Sequence, residues 1–93
     1  MSRILLVEDD TDVRLAVEHV LLDEGYEVDA AENCQRGRAF LDNHPYDLLL
    51  TDGRLPDGTG IGLANIAAYY GIPALIITDH PSVLGALVPD LSR

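Results

Sequence analysis

The chain has 93 residues, of which 47% are hydrophobic, and its sixteen acidic and six basic residues give a formal net charge of −10. This length suits one small domain, and the apolar runs are too short to cross a bilayer. The negative charge repels phosphate backbones, so we expect neither direct nucleic-acid binding nor a membrane partner. With no secretory leader and one cysteine, Cys34, the sequence indicates a cytoplasmic protein without an internal disulfide.

Strand and helix patterns alternate along the chain. Apolar runs predict four strands, Ile4–Val7, Tyr26–Ala31, Leu48–Leu50 and Pro73–Ile77. Helical spacing and capping residues predict a first helix that Asp10 or Thr11 caps and that ends just before Gly25, and a short helix after Asn33. They also predict a helix over Thr59–Tyr70 and one or two helical turns over Ser82–Leu87. This order is typical of an α/β fold with a right-handed, doubly wound parallel sheet.

The first predicted helix is apolar on two sides. One side is expected to face the core and carries Val13, Ala16, Val17, Val20 and Leu21. Leu15 and Leu22 lie nearly opposite. In the second helix, Gly37 lowers the helix propensity.

Polar side chains follow three of the predicted strands. Glu8 and Asp9 end the first strand, Asp52 the third and Thr78 the fourth. Parallel neighbours would bring these ends to one edge of the sheet, where open α/β sheets bind their ligands. Two carboxylates about 5 Å apart repel by roughly 3 kcal/mol at an effective dielectric constant near 20, so a cation would stabilise them. Oxygen ligands with room for water favour Mg²⁺.

This arrangement predicts phosphoryl transfer onto Asp52. A bound metal would keep the Asp52 carboxylate ionised and neutralise an incoming phosphoryl group, and the Thr78 hydroxyl can donate to a phosphoryl oxygen. The alternative is that these residues only make turns and cap helices, as Asp and Thr often do after strands. For Asp10 and Asp57 we favour this alternative. For Glu8, Asp9 and Asp52, spacing alone leaves both interpretations open.

The same segments resemble the receiver domain of two-component response regulators, from Arg3 to about Pro81. The motifs that carry the resemblance are Ile4-Leu-Leu-Val-Glu-Asp-Asp10, Leu48-Leu-Leu-Thr-Asp52, Leu55-Pro-Asp-Gly58 with Gly60, and Ile76-Ile-Thr78. Arg14 and Gly25-Tyr-Glu-Val28 are also similar to the family. The resemblance implies a flavodoxin-like (CheY-like) α/β fold with strand order 2-1-3-4-5, used in phosphorelay signal transduction.

The resemblance also implies roles for individual residues. Asp52 would be the phosphoacceptor, receiving its group from a histidine kinase or a histidine phosphotransfer protein. Asp9, Asp52 and the backbone carbonyl of Arg54 would bind Mg²⁺, and Glu8 would do so directly or through water. Thr78 would be the switch hydroxyl. The protein would catalyse its own phosphorylation at most and would not otherwise be an enzyme.

Three departures from the family pattern affect these expectations. The chain stops at Arg93, before the family's fifth strand and fifth helix, so we expect one C-terminally incomplete receiver-like domain over residues 1–93 without an output domain. It contains no lysine, whereas the family's fifth strand ends in one, and the switch aromatic of that strand is missing. Asp79 follows Thr78, where the family has a small residue. Phosphorylation is therefore expected to be slow, short-lived or absent.

The missing strand and helix would leave apolar surface uncovered. An exposed fourth-strand edge or the first helix would then support a homodimer, unless the chain is a fragment of a longer receiver. Without an output domain, the signal would pass to a downstream protein target through direct contact. The rival hypotheses are a phosphorylation-independent interaction module and a small Mg²⁺-dependent phosphohydrolase.

The first turn of a helix would activate the Cys34 thiol somewhat, although we favour an incidental cysteine.

Overall fold

A computed structural model describes residues 2–77 of the chain. The elements are β1 (Arg3–Val7), α1 (Thr11–Asp23), β2 (Glu27–Ala31), α2 (Cys34–Asn43), β3 (Leu48–Asp52), β4 (Arg54–Leu55), β5 (Gly58–Thr59), α3 (Gly60–Tyr69) and β6 (Ala74–Ile77). The predicted strands and helices of this part are present, with ends shifted by a residue or two. Thr78, Asp79 and the predicted helical turns over Ser82–Leu87 lie outside the described residues. Within residues 2–77, no helix has the length and apolar character needed to cross a membrane.

The main sheet confirms the predicted fold class. Its four strands are parallel in the order β2-β1-β3-β6, which is the predicted order 2-1-3-4 because β6 is the fourth strand of this sheet. In the described part of the chain, β2 and β6 form the outer strands. They differ in character, since β2 carries Glu27 and Asp29 and β6 has no charged residue.

The main core lies between this sheet and helices α2 and α3. Leu5, Val7 and Leu49 are fully buried in it, as expected for central parallel strands. Gly37 lies where α2 meets β1, because a Cβ atom at this position would be only 3.0 Å from Cγ2 of Val7. The glycine that lowers the helix propensity of α2 therefore allows the helix to pack closely on the strand.

Helix α1 is less buried than its sequence pattern suggests. Asp10 caps it as predicted, because its carboxylate accepts from the Val13 amide at 3.0 Å. Val17 and Leu21 are half-buried, but Val13 and Val20 on the same expected face are 43% and 59% exposed, and Ala16 is exposed too. The predicted core face is therefore only partly correct. The helix packs on β1 and β2, and in the described part of the chain no second helix covers its flank.

The predicted turn at Leu55–Gly58 is the tip of a small hairpin. β4 and β5 are antiparallel, with Leu55 opposite Gly58, so Pro56 and Asp57 form a two-residue loop. Leu55 is buried in the main core. Thr59 then caps α3 by accepting from the Gly62 amide at 3.1 Å. The hairpin thus connects the end of β3 directly to the start of α3.

Candidate functional site

The carboxyl ends of β1 and β3 bring three acidic side chains together. Glu8 and Asp9 follow β1, and Asp52 is the last residue of β3. One carboxylate oxygen from each lies within 4.8 Å of the others. Glu8 and Asp52 are half-buried and Asp9 is exposed, so the cluster opens to solvent. Three of the predicted site residues are therefore close enough to share one cation.

Backbone contacts fix the two acidic residues that follow β1. The Glu8 amide donates to the Ala31 carbonyl at 3.0 Å, which extends the β1–β2 pairing by one residue. The Arg14 guanidinium donates to the Glu8 carbonyl at 2.8 Å and to the Asp9 carbonyl at 3.4 Å. Arg14 thus places a positive charge beside the loop through contacts to backbone carbonyls and not to the carboxylates.

The Asp52 backbone is held by its neighbours. Thr51 is fully buried, and its hydroxyl donates to the Asp52 carbonyl at 3.0 Å. Gly60 lies directly over the same carbonyl, so that a Cβ atom there would overlap it. The Gly60 amide also donates to the Gly53 carbonyl at 3.1 Å. The start of α3 therefore packs on the end of β3, immediately behind the Asp52 side chain.

The electrostatics of the cluster favour a cation. The pKa of Glu8 is raised to about 7. Burial is the largest cause and the Asp52 and Asp9 carboxylates contribute in the same direction, while the hydrogen bond from the Asp10 amide opposes them. A divalent cation would offset the free-energy cost of ionising Glu8 beside the other two carboxylates. All the donors in the cluster are carboxylate oxygens, which suit Mg²⁺ better than zinc. The residues present therefore fit the predicted metal.

The other two predicted site residues, Arg54 and Thr78, do not belong to this cluster of carboxylates. Arg54 begins β4, two residues after Asp52, and is exposed, so coordination by its carbonyl stays a prediction. Thr78 lies outside the described residues. The strand that leads to it ends next to the cluster, because Ile77 is the register partner of Asp52.

Sequence reasoning missed two structural roles. It did not foresee that Arg14 contacts the Glu8 carbonyl, or that the Asp57 carboxylate accepts from the Cys34 and Gln35 amides at 2.7 and 2.9 Å. For Cys34, the structure does not support the activated thiol, which was the less favoured of the two interpretations. Burial first, and the Asp57 carboxylate second, raise the pKa of Cys34 and keep the thiol protonated.

The sequence is similar to bacterial signalling proteins. Residues 4–87 match the family described as response regulator receiver domain. The chain is 34% identical over 80 residues to the virulence transcriptional regulatory protein PhoP of Salmonella typhimurium, covering 84% of this chain and 36% of PhoP. It is 39% identical over 84 residues to the response regulator protein PilR of Pseudomonas aeruginosa, covering 88% of this chain and 19% of PilR. It thus spans about a third or less of these relatives.

Solved structures show the same fold. The receiver domain of HemR from Leptospira biflexa superposes with a TM-score of 0.78 at 29% identity, covering 95% of this chain and 76% of that one. The response regulator TrrA of Thermotoga maritima, solved with Mg²⁺ and BeF, superposes with a TM-score of 0.80 at 30% identity, covering 86% and 71%. In both cases the likeness extends over most of this chain.

Proposed function

Because this chain belongs to the response regulator receiver domain family, we propose that it accepts a phosphoryl group on Asp52 from a histidine kinase or a histidine phosphotransfer protein. The observation that carries the proposal is the convergence of Glu8, Asp9 and Asp52 within 4.8 Å at the carboxyl edge of the sheet. A structural role in turns and caps alone would not require three carboxylates to share this space. The three carboxylates repel one another, and a bound cation would offset that repulsion.

The Asp52 carboxylate is the nucleophile in the proposed reaction. Its oxygen attacks the phosphorus atom, a P–O bond forms, and the P–N bond to the donor histidine breaks, returning the electron pair to the imidazole nitrogen, which takes up a proton. Glu8, Asp9, Asp52 and the Arg54 carbonyl would hold Mg²⁺. When bound, the ion neutralises the phosphoryl charge and keeps Asp52 ionised. Thr51 and Gly60 fix the Asp52 backbone, so the attacking oxygen needs little reorganisation.

Thr78 is proposed to carry the signal away from the site. Its hydroxyl would donate to the new phosphoryl group and bias the segment that follows β6. The readout would then be a contact with a downstream protein target. In this proposal the chain is cytoplasmic, as its single cysteine suggests, and it catalyses no reaction except its own phosphorylation.

The test is phosphorylation with acetyl phosphate and Mg²⁺, followed by intact-mass spectrometry. We expect an adduct of one phosphoryl group on the natural chain and none on Asp52→Asn. Asp23→Asn is a useful control, because it removes an exposed carboxylate at the end of α1 and keeps the acceptor carboxylate. No adduct at any time on the natural chain would favour the phosphorylation-independent module. Donor turnover far above the protein concentration, lost in Asp52→Asn, would favour the phosphohydrolase.

Self-association through exposed apolar surface is a further part of the proposal. Leu75, Ile76 and Ile77 are exposed on the outer strand β6, and Leu15 and Leu22 are exposed on α1. We expect sedimentation velocity to show a dimer whose population grows with concentration. Leu75→Glu should abolish it if β6 forms the contact, and Leu22→Glu if α1 does. A single monomeric species at every concentration would contradict this prediction.

A further inference from the structure

The hairpin of β4 and β5 is attached to the first turn of α2 by one carboxylate. Oδ1 of Asp57 accepts from the Cys34 amide at 2.7 Å, and Oδ2 accepts from the Gln35 amide at 2.9 Å. The helix already has its own cap, because the Asn33 side chain accepts from the Arg36 amide at 2.8 Å. Asp57 therefore uses amides that the local cap leaves free, across more than twenty residues of sequence.

Close packing supports the same contact. A Cβ atom at Gly58 would lie 3.0 Å from Sγ of Cys34, which is tighter than an ordinary contact. The Cys34 thiol also lies 3.7 Å from the Thr59 carbonyl oxygen. Thus both β5 residues lie close to the sulfur of the first residue of α2. The tip of the hairpin rests on the helix and cannot move without breaking these contacts.

The hairpin also connects directly to the acidic cluster. It begins two residues after Asp52, and its first residue is Arg54, whose carbonyl is a predicted Mg²⁺ ligand. Arg54 pairs with Thr59 across the hairpin, and the Thr59 carbonyl is the one that Cys34 contacts. A displacement of the tip would therefore change the path of the backbone that carries this carbonyl.

We propose that Asp57 is a positioning residue, which holds the hairpin against α2 and thereby fixes the Arg54 carbonyl beside Glu8, Asp9 and Asp52 for metal binding. This inference rests on the proposed function of that cluster. Mg²⁺ demands nearly ideal octahedral coordination, so a small displacement of one ligand lowers its affinity. The two amides also hold the pKa of Asp57 below its usual range, because they donate to the ionised form of the carboxylate.

The test compares Asp57→Ala with Asn33→Ala in the full chain. Both substitutions remove a side-chain acceptor from the first turn of α2, with a similar expected cost of about 1 kcal/mol each in helix capping. Only Asp57→Ala releases the hairpin. By isothermal calorimetry, we expect Asp57→Ala to weaken Mg²⁺ binding about tenfold, as residues that support metal ligands commonly do, and Asn33→Ala to leave it within about twofold.

Cys34 supplies a second readout, because it is the only thiol in the chain. If Asp57 holds the hairpin on the helix, Asp57→Ala should expose the thiol and increase its rate of labelling by a disulfide reagent. Asp57→Asn retains one acceptor oxygen, so we expect an intermediate Mg²⁺ affinity and labelling rate. This milder variant also serves if Asp57→Ala does not fold, which urea unfolding and circular dichroism will show.

The outcomes separate this inference from the proposed function. Equal Mg²⁺ affinity in the natural chain, Asp57→Ala and Asp57→Asn would overturn the positioning role, while an adduct on Asp52 would still support phosphoryl transfer. Mg²⁺ binding that depends on Asp57, without any adduct, would support the positioning role and overturn phosphoryl transfer. No Mg²⁺ binding by the natural chain would overturn both.

Discussion

Gly60→Ala is expected to destabilise the protein by about 1–3 kcal/mol and to weaken the acidic cluster at the same time. The added methyl group would overlap the Asp52 carbonyl and lie 3.0 Å from Cγ2 of the buried Thr51. Both obstacles belong to a central strand and cannot rotate away. Either α3 or the end of β3 must therefore shift. Urea unfolding followed by circular dichroism measures the loss, and calorimetry measures the accompanying fall in Mg²⁺ affinity.

Gly62→Ala in the same helix is the matched control. A Cβ atom there would meet only the Thr59 hydroxyl oxygen at 3.5 Å, which is an ordinary contact. The exposed alanine should then increase stability by up to about 1 kcal/mol, because alanine favours the helix more than glycine. If the two substitutions changed the free energy of unfolding equally, the result would contradict the close approach of Gly60 to Asp52. Helix propensity alone would then account for both changes.

Mg²⁺ affinity is expected to rise about tenfold between pH 6 and pH 8. Without a metal, the pKa of Glu8 is raised to about 7, so a proton occupies this carboxylate in most molecules at pH 6 and in few at pH 8. Protons and Mg²⁺ compete for the same oxygens, and the affinity follows the ionised fraction. Calorimetric titrations at several pH values measure this change. Glu8→Gln should bind more weakly and lose most of the pH dependence.

The same pKa makes an opposite prediction for the metal-free protein. The folded state binds a proton at Glu8 more tightly than the unfolded state, where the carboxyl has its ordinary pKa of 4.5. The stabilisation by this proton is complete below pH 4.5 and is lost as the pH rises through 7. Saturating Mg²⁺ should reverse this trend. An identical pH dependence of stability in the natural chain and Glu8→Gln would contradict the raised pKa.

Much of the fold could be predicted because its signals are local. Apolar runs such as Leu48–Leu50 identify buried strands. Asp10, one of two predicted caps, and Asn33 cap their helices, and the helix predicted over Thr59–Tyr70 begins at Gly60. The sequence does not predict how deeply each apolar side chain is buried. Periodicity identifies the apolar side of α1 but not how much of it the neighbouring elements cover. Val13 and Val20 therefore belong to the expected face and are nevertheless exposed.

The candidate site also has features that the sequence predicts and features that it does not. Parallel strands bring their carboxyl ends to one edge, so the proximity of Glu8, Asp9 and Asp52 could be predicted on the condition that the first and third strands are neighbours, a strand order that the family resemblance implied. Asp57 was correctly recognised as a turn residue, but its hydrogen-bond partners lie in another element. Nothing in the local sequence indicates which helix would be close enough. Likewise, Arg14 reaches back to the loop before its own helix, which depends on a rotamer that spacing does not determine.

The two outer strands of the described sheet impose a limit on assembly. Glu27 and Asp29 place carboxylates along β2, and such charges discourage another chain from adding there. Only the β6 side of this sheet is free of charge. Two molecules joined by β6 around a twofold axis would each use the one uncharged border that the sheet has within residues 2–77, leaving none there for a third. Strand addition would therefore end in a closed pair and could not propagate into a fibre.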